Sequence, residues 1–283
     1  MNTSTYATTM SSSLDSSDNN SSIQGQVEAF IDLPENRFES EEFRGDLSPL
    51  KLIPHFLTKS ECDFFISLIS PDSKNRIQYL SNRKRLIFES EKVATWFWSR
   101  LAPFNEFKSV TDEHGDIWDA HSINPRFRLI RYDKGEEFKT HEDGFYWPSW
   151  NLKTFATAMV YLNDMSIITD NKGIDGIDGI DGIDGIDGKD GIDVKDQTKR
   201  VRKGEVKSGA TRFHKIHTVV EPAQGLLIHF LVNDLDHCGE PVDSQKFLLR
   251  TDVFYKLREE SCKRPVFCQR RQEIFKEFKR YDD

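Results

Sequence analysis

Cysteine is scarce in this chain. It occurs four times, at Cys62, Cys238, Cys262 and Cys268, and no two form a CxxC pair. That spacing gives no support to zinc-ribbon or thioredoxin patterns and needs no disulfide framework, although Cys262 and Cys268 are near enough in sequence to bridge. Long apolar runs are missing as well; none approaches the roughly 18 residues a membrane span requires. The first residues carry neither the basic nor the apolar region of a secretory signal. These absences lead us to expect a cytoplasmic or otherwise intracellular protein with no membrane partner. Positive charge is in deficit, with 39 Lys and Arg against 47 Asp and Glu, which argues against nucleic acid as the main target. The deficit is concentrated in one place. Between Lys172 and Asp196 stand eight Asp and three Lys, and the rest of the chain is close to balance.

Proline is absent from the same stretch. Gly-Ile-Asp triplets place glycine at 173, 176, 179, 182, 185, 188 and 191. Glycine at every third position is the collagen pattern, but a stable triple helix ordinarily carries many imino acids. A flexible acidic insertion over 165–207, closed by the basic cluster Lys199 to Lys203, is the expected form. A structural or interaction protein assembled through this collagen-like run is the alternative for the chain as a whole. Residues 1–26 are Ser, Thr, Asn and Asp with little to bury, which predicts a disordered tail. One domain is expected over 27–260, followed by a charged tail over 261–283.

What is abundant is aromatic. Twenty-one Phe and five Trp fall mostly after residue 40, so the core is expected there. Thr58-Lys59-Ser60-Glu61 is a capping box, and the helix it opens carries Phe64, Phe65, Leu68 and Ile69 at helical spacing. A second helix follows Ser90, with Val93, Phe97 and Leu101 on one stripe and Pro103 as its stop. From about residue 124 the period changes to two. Strands are expected at 127–132, 155–162, 210–213, 217–220, 225–231 and 246–255, giving a β-sandwich or jelly roll with helices outside.

The chemistry lies in a short run. His141 and Asp143 stand two apart, the spacing that puts an imidazole and a carboxylate on one face of a strand. A distant histidine would complete a two-His-one-carboxylate site with open positions on Fe(II). His229 and His237 compete for that place. His237 is preferred, because Lys246 follows it at the start of a strand where an ammonium could hold the far carboxylate of a 2-oxo diacid. Arg250 shares that face and is a rival anchor, since a guanidinium grips a carboxylate with two bonds. His55, His114, His121, His214 and His217 read as surface or satisfied core residues. Phe145, Tyr146, Trp147 and Trp150 follow the His-x-Asp and are candidates to line a substrate groove, with Arg212 facing the site.

In order, 123–144, Met159 to Asp164, Gly209 to Phe213, and His237 to Val242 through Lys246 to Val253 resemble blocks of the prolyl 4-hydroxylase-like 2-oxoglutarate- and Fe(II)-dependent dioxygenases. The resemblance implies an α+β fold: a double-stranded β-helix, or jelly-roll, core with flanking N-terminal helices. It implies His141, Asp143 and His237 as iron ligands, with Lys246 and Tyr132 contacting 2-oxoglutarate. The implied activity is hydroxylation of a peptidyl side chain, proline in the first instance and a non-prolyl substrate as the alternative, with molecular oxygen consumed, succinate and CO2 released, and L-ascorbate as an auxiliary reductant. Gln245 departs from the family, which often has glycine shortly before the basic residue. The Gly-Ile-Asp run is not a family feature.

Overall fold

The computed structural model describes residues 17–32, 46–47, 49–165, 208–232, 235–262, 270 and 273. The Gly-Ile-Asp run, most of the C-terminal segment and residues 233 and 234 lie outside them.

Three helices, α1 (Ser17–Ile31), α2 (Lys59–Ile69) and α3 (Glu91–Leu101), precede or interleave with the first strands. The strands are β1 (Asp46–Leu47), β2 (Leu50–Ile53), β3 (Gln78–Leu80), β4 (Arg83–Glu89), β5 (Ser109–Thr111), β6 (Ile117–Ile123) and β7 (Arg126–Tyr132), then β8 (Phe138–His141), β9 (Leu152–Tyr161), β10 (Thr211–Phe213), β11 (Thr218–Val220), β12 (Leu227–Leu231), β13 (His237–Gly239) and β14 (Lys246–Leu257). They make two antiparallel sheets. The larger runs β1-β2-β12-β9-β14-β7-β4-β3, with β6 and β5 added beside β14; the smaller runs β11-β10-β13-β8.

The alternation of strand side chains sorts the larger sheet into two buried faces. Phe127 and Leu129 of β7, Leu249 and Val253 of β14, and Ala156, Ala158 and Val160 of β9 pack with Phe65, Val93 and Phe97 of the helices. Ile130, Tyr132, Leu248, Met159 and Tyr161, from the opposite face, pack with Phe213, Val220 and Val242. A sheet covered on both faces explains why β9 reads in sequence as a nearly unbroken apolar run.

The expected helices form where they should. Thr58 and Glu61 satisfy both halves of the capping box, and Ser90 accepts from the Val93 N–H at the start of α3. Arg131, pointing away from the smaller sheet, donates to the Ile69 carbonyl at the end of α2 at 2.9 Å, a favourable place for a cation. Helix α1 begins at Ser17, inside the segment expected to be a tail, because Ile23 and Val27 find apolar partners in the helical core. Cys62 and Cys238 are free thiols, whereas Cys262 is disulfide-bonded. Among the described residues no helix is long and apolar enough to cross a membrane.

Candidate metal centre

His141 ends β8, His237 opens β13, and the two are direct cross-strand partners. Their rings lie 4.4 Å apart between centroids. Asp143 follows two residues after His141 and is buried. One ligand atom from each of the three lies within 4.8 Å of the others.

The proton positions follow from the partners. His141 Nδ1 is 2.9 Å from the Lys139 carbonyl, and His237 Nδ1 is 3.0 Å from the Leu235 carbonyl. A carbonyl only accepts, so each Nδ1 carries the hydrogen and each Nε2 of the neutral ring keeps its lone pair. Both Nε2 atoms face the same carboxylate, His141 at 3.5 Å from Oδ1 and His237 at 4.0 Å from Oδ2. His141 Nε2 is buried and has no hydrogen-bond partner. Two lone pairs and a carboxylate directed at one space, with an orphaned buried acceptor among them, fit a cation and not a proton-sharing network.

The surroundings favour the ligating forms. Burial disfavours a charged Asp143. The Arg250 guanidinium opposes burial, together with His141, His237 and the Thr157 hydroxyl, and the carboxyl is held well below its ordinary range. Thr157 donates to Asp143 Oδ2 at 2.7 Å, and Arg250 Nη2 reaches Oδ1 at 2.7 Å. Burial lowers the His237 pKa, with smaller contributions from His141 and Arg250, against Asp143 and the Leu235 carbonyl. His229 takes no part. It points into the helical side of the larger sheet, with ring nitrogens near the Thr157 carbonyl at 2.9 Å and Asn105 Oδ1 at 3.1 Å.

A cavity of about 270 Å³ opens beside the three side chains, with His141, His237, Lys246, Arg250, Tyr132 and Tyr146 among its lining residues. Lys246 is 3% exposed. Its ammonium donates to the Gly209 carbonyl at 2.5 Å and lies 5.1 Å from the centre of the Tyr161 ring. Burial pushes its pKa from 10.5 down to about 7, roughly 5 kcal/mol against the charged form. Such a group is stabilised as a cation by any anion entering the cavity. Gly209 sits at positive φ, and a side chain there would press on Val242 and Lys246. Tyr132, its pKa raised by burial to about 12, faces the same cavity.

The lining differs from the sequence expectation at two positions. Arg212 does not face the cavity. On β10 it is Thr211 that lines it, and Arg212, one residue on, points the other way and pairs with Glu240 at 2.5 Å. Trp147 packs edge-on against Trp118 at 5.5 Å and supports the helical core with Trp150. Tyr146 does line the cavity, while Phe145 lies against the Lys153 ammonium at 3.7 Å. Sequence reasoning did not single out Thr157, Thr211, Arg83, Arg85, Arg128 or Asp252. The alternation of β7 and β14 could have indicated Arg128 and Asp252, which share a face with Tyr132 and Lys246.

No family model matches the chain, and no curated protein does. Among solved structures it is similar to the viral collagen prolyl hydroxylase of Paramecium Bursaria Chlorella virus-1 in complex with 2OG, at TM-score 0.45 and 16% identity, covering 75% of this chain and 98% of that one. A Pseudomonas putida prolyl-4-hydroxylase aligns at TM-score 0.44 and 13% identity, over 72% and 91% of the two chains. A Trichoplax adhaerens prolyl hydroxylase, solved with a hypoxia inducible factor oxygen degradation domain peptide fragment, aligns at 0.43 and 11%, over 86% and 92%. Likenesses this distant assign neither family nor activity, so the function has to be argued from the side chains.

Proposed function

We propose that this protein is an Fe(II)- and 2-oxoglutarate-dependent dioxygenase, built on a double-stranded β-helix and acting on a peptidyl side chain. The observation that carries the proposal is the convergence of two Nε2 lone pairs and the Asp143 carboxylate, with the Nδ1 hydrogens fixed by backbone carbonyls. Two His and one carboxylate with open space beside them is the donor set of non-haem Fe(II) oxygenases. His141, Asp143 and His237 would hold the metal. What such a centre supplies when loaded is activation of dioxygen at the expense of 2-oxoglutarate, which leaves as succinate and CO2 while one oxygen atom enters a substrate C–H bond.

The chain's own residues prepare that chemistry. The Lys139 and Leu235 carbonyls hold the rings in the ligating tautomer, and Thr157 orients the carboxylate. Of the two candidate anchors, Lys246 is the better placed for the far carboxylate of 2-oxoglutarate, because its partner in the cavity is a neutral carbonyl, whereas Arg250 is engaged with Asp143. Tyr132 is placed to donate to the same dianion. Prolyl hydroxylation is the proposed reaction, with L-ascorbate as auxiliary reductant.

The test is succinate formation by protein supplied with Fe(II), ascorbate, 2-oxoglutarate and proline-containing peptides. The peptides should gain one oxygen by mass, and His141→Ala should lose both activity and metal. Metal binding unchanged in His141→Ala, with no succinate from the native chain, would refute the proposal.

A further inference from the structure

Cations outnumber carboxylates in the cavity wall. Arg83, Arg85, Arg128, Lys246 and Arg250 line it, against the carboxylate of Asp252. Three of the five already have a role. Arg250 pairs with Asp143, Arg128 Nη1 pairs with Asp252 Oδ2 at 3.0 Å, and Lys246 is the proposed cosubstrate anchor. Arg83 and Arg85 remain.

Both sit on β4, with the intervening Lys84 directed elsewhere, to Asp133 at 2.8 Å and Glu136 at 2.5 Å. Among the described residues neither Arg83 nor Arg85 meets a carboxylate. Arg85 donates through Nε and Nη2 to one neutral oxygen, Gln78 Oε1, at 3.2 and 3.1 Å. Arg83 donates to Asn82 Oδ1 at 2.8 Å and lies over the Phe138 ring at 4.3 Å. Phe138 in turn lies 4.2 Å from the His141 ring. The Arg83 guanidinium is therefore one aromatic ring away from a ligand of the proposed metal centre. Burial lowers the Arg85 pKa, and Arg83, Arg128 and Arg126 lower it further. Fixing like charges side by side is unfavourable in the free protein, and an arriving anion relieves it.

We propose that Arg83 and Arg85 are specificity determinants that recognise carboxylate side chains close to the oxidised residue, so that the substrate is an acidic peptide. The inference rests on the dioxygenase reading of the site. Guanidinium forks match carboxylates with paired bonds, and Tyr146, 53% exposed, supplies an apolar wall at the same cavity. A polyphosphate partner is disfavoured by the net charge of −8 and by the small number of cations, since nucleic-acid affinity comes from many phosphate contacts.

Binding measured without turnover tests this. The chain, loaded with Mn(II) and 2-oxoglutarate, is titrated into fluorescein-labelled peptides with one central Pro, flanked two residues away on each side by Asp, Asn or Lys. Anisotropy should show the Asp peptide bound about tenfold tighter than its Asn isostere, with the Lys peptide weakest and the preference shrinking as salt rises. Arg83→Gln with Arg85→Gln should bring Asp and Asn peptides close to parity while leaving Mn(II) stoichiometry and 2-oxoglutarate affinity unchanged. Equal binding of Asp, Asn and Lys peptides by the native chain would overturn the inference, whether or not the double variant folds. So would displacement of the Asp peptide by a single-stranded oligonucleotide at lower concentration. Loss of Mn(II) binding in the native chain would instead strike the dioxygenase reading, so the two failures are distinguishable.

Discussion

Asp143 owes its orientation to Thr157, a residue that contributes no charge and no ligand. Its hydroxyl fixes one carboxylate oxygen at 2.7 Å. Replacing it by valine keeps the shape and removes that bond. Thr157→Val is expected to weaken metal binding by about 10- to 100-fold, the usual cost of losing an outer partner of a ligand, with the fold intact by circular dichroism; unchanged affinity would show that Asp143 needs no such support. Lys246 yields a second expectation. Its pKa is lowered to about 7 by burial, so the free protein carries it charged below that value and neutral above. A bound dianion demands the charged form. Affinity for 2-oxoglutarate should therefore be flat below pH 7 and fall above it, approaching about tenfold per unit. Calorimetry in buffers of different ionisation enthalpy should show proton uptake at pH 8.5 and none at pH 6. At this scale the grouping of His141, Asp143 and His237 was legible in sequence, because His-x-Asp and a distant His constrain one another. Thr157 was not, since its role arises only when β9 is brought beside the loop after β8. Arg212 was misread by one step of strand parity; Thr211 takes the inward place.

Helix α2 shows what a local signal can and cannot carry. The capping box is written in four consecutive residues and forms as expected. The same Glu61 carboxylate, fully buried, is also gripped by Arg100 of α3 through two bonds at 2.9 and 2.6 Å, which no local pattern announces. Arg100→Leu leaves that carboxylate uncompensated. It should cost about 3–5 kcal/mol in urea unfolding, and a loss under 1 kcal/mol would show that water or another group takes the arginine's place. Strands β3 to β6 were not foreseen. β4 reads Arg-Lys-Arg-Leu-Ile-Phe-Glu, a charged start that hides its alternation, because Arg83 and Arg85 border a polar cavity on one face while Leu86 and Phe88 meet core on the other. β9 was legible for the opposite reason: both of its faces meet apolar partners, so its sequence from Phe155 to Tyr161 is nearly continuously hydrophobic.

The whole molecule places its two sheets across one cavity, and the chain from β9 to β10 runs through 166–207. The described residues on either side of 166–207 are tied to the same segment. Asn163 donates to the Gln245 carbonyl at 2.8 Å and accepts from the Phe247 N–H at 2.8 Å. Ser208 exchanges hydrogen bonds with Asp243 at 2.6 and 2.7 Å. All the partners in these ties lie outside 166–207. Replacing 170–203 by a short Gly-Ser linker should leave the thermal midpoint within a few degrees and metal binding intact; loss of folding would assign the run a structural role and revive the alternative of assembly through it.

The most direct test of the account is a metal titration. Mn(II), standing in for Fe(II), is added to the chain while the free-ion signal is followed by electron paramagnetic resonance. The account predicts one tight site per chain, abolished by His141→Ala, Asp143→Ala and His237→Ala alike. Binding that survives any one of these substitutions, or a native chain that takes up no ion, would contradict it.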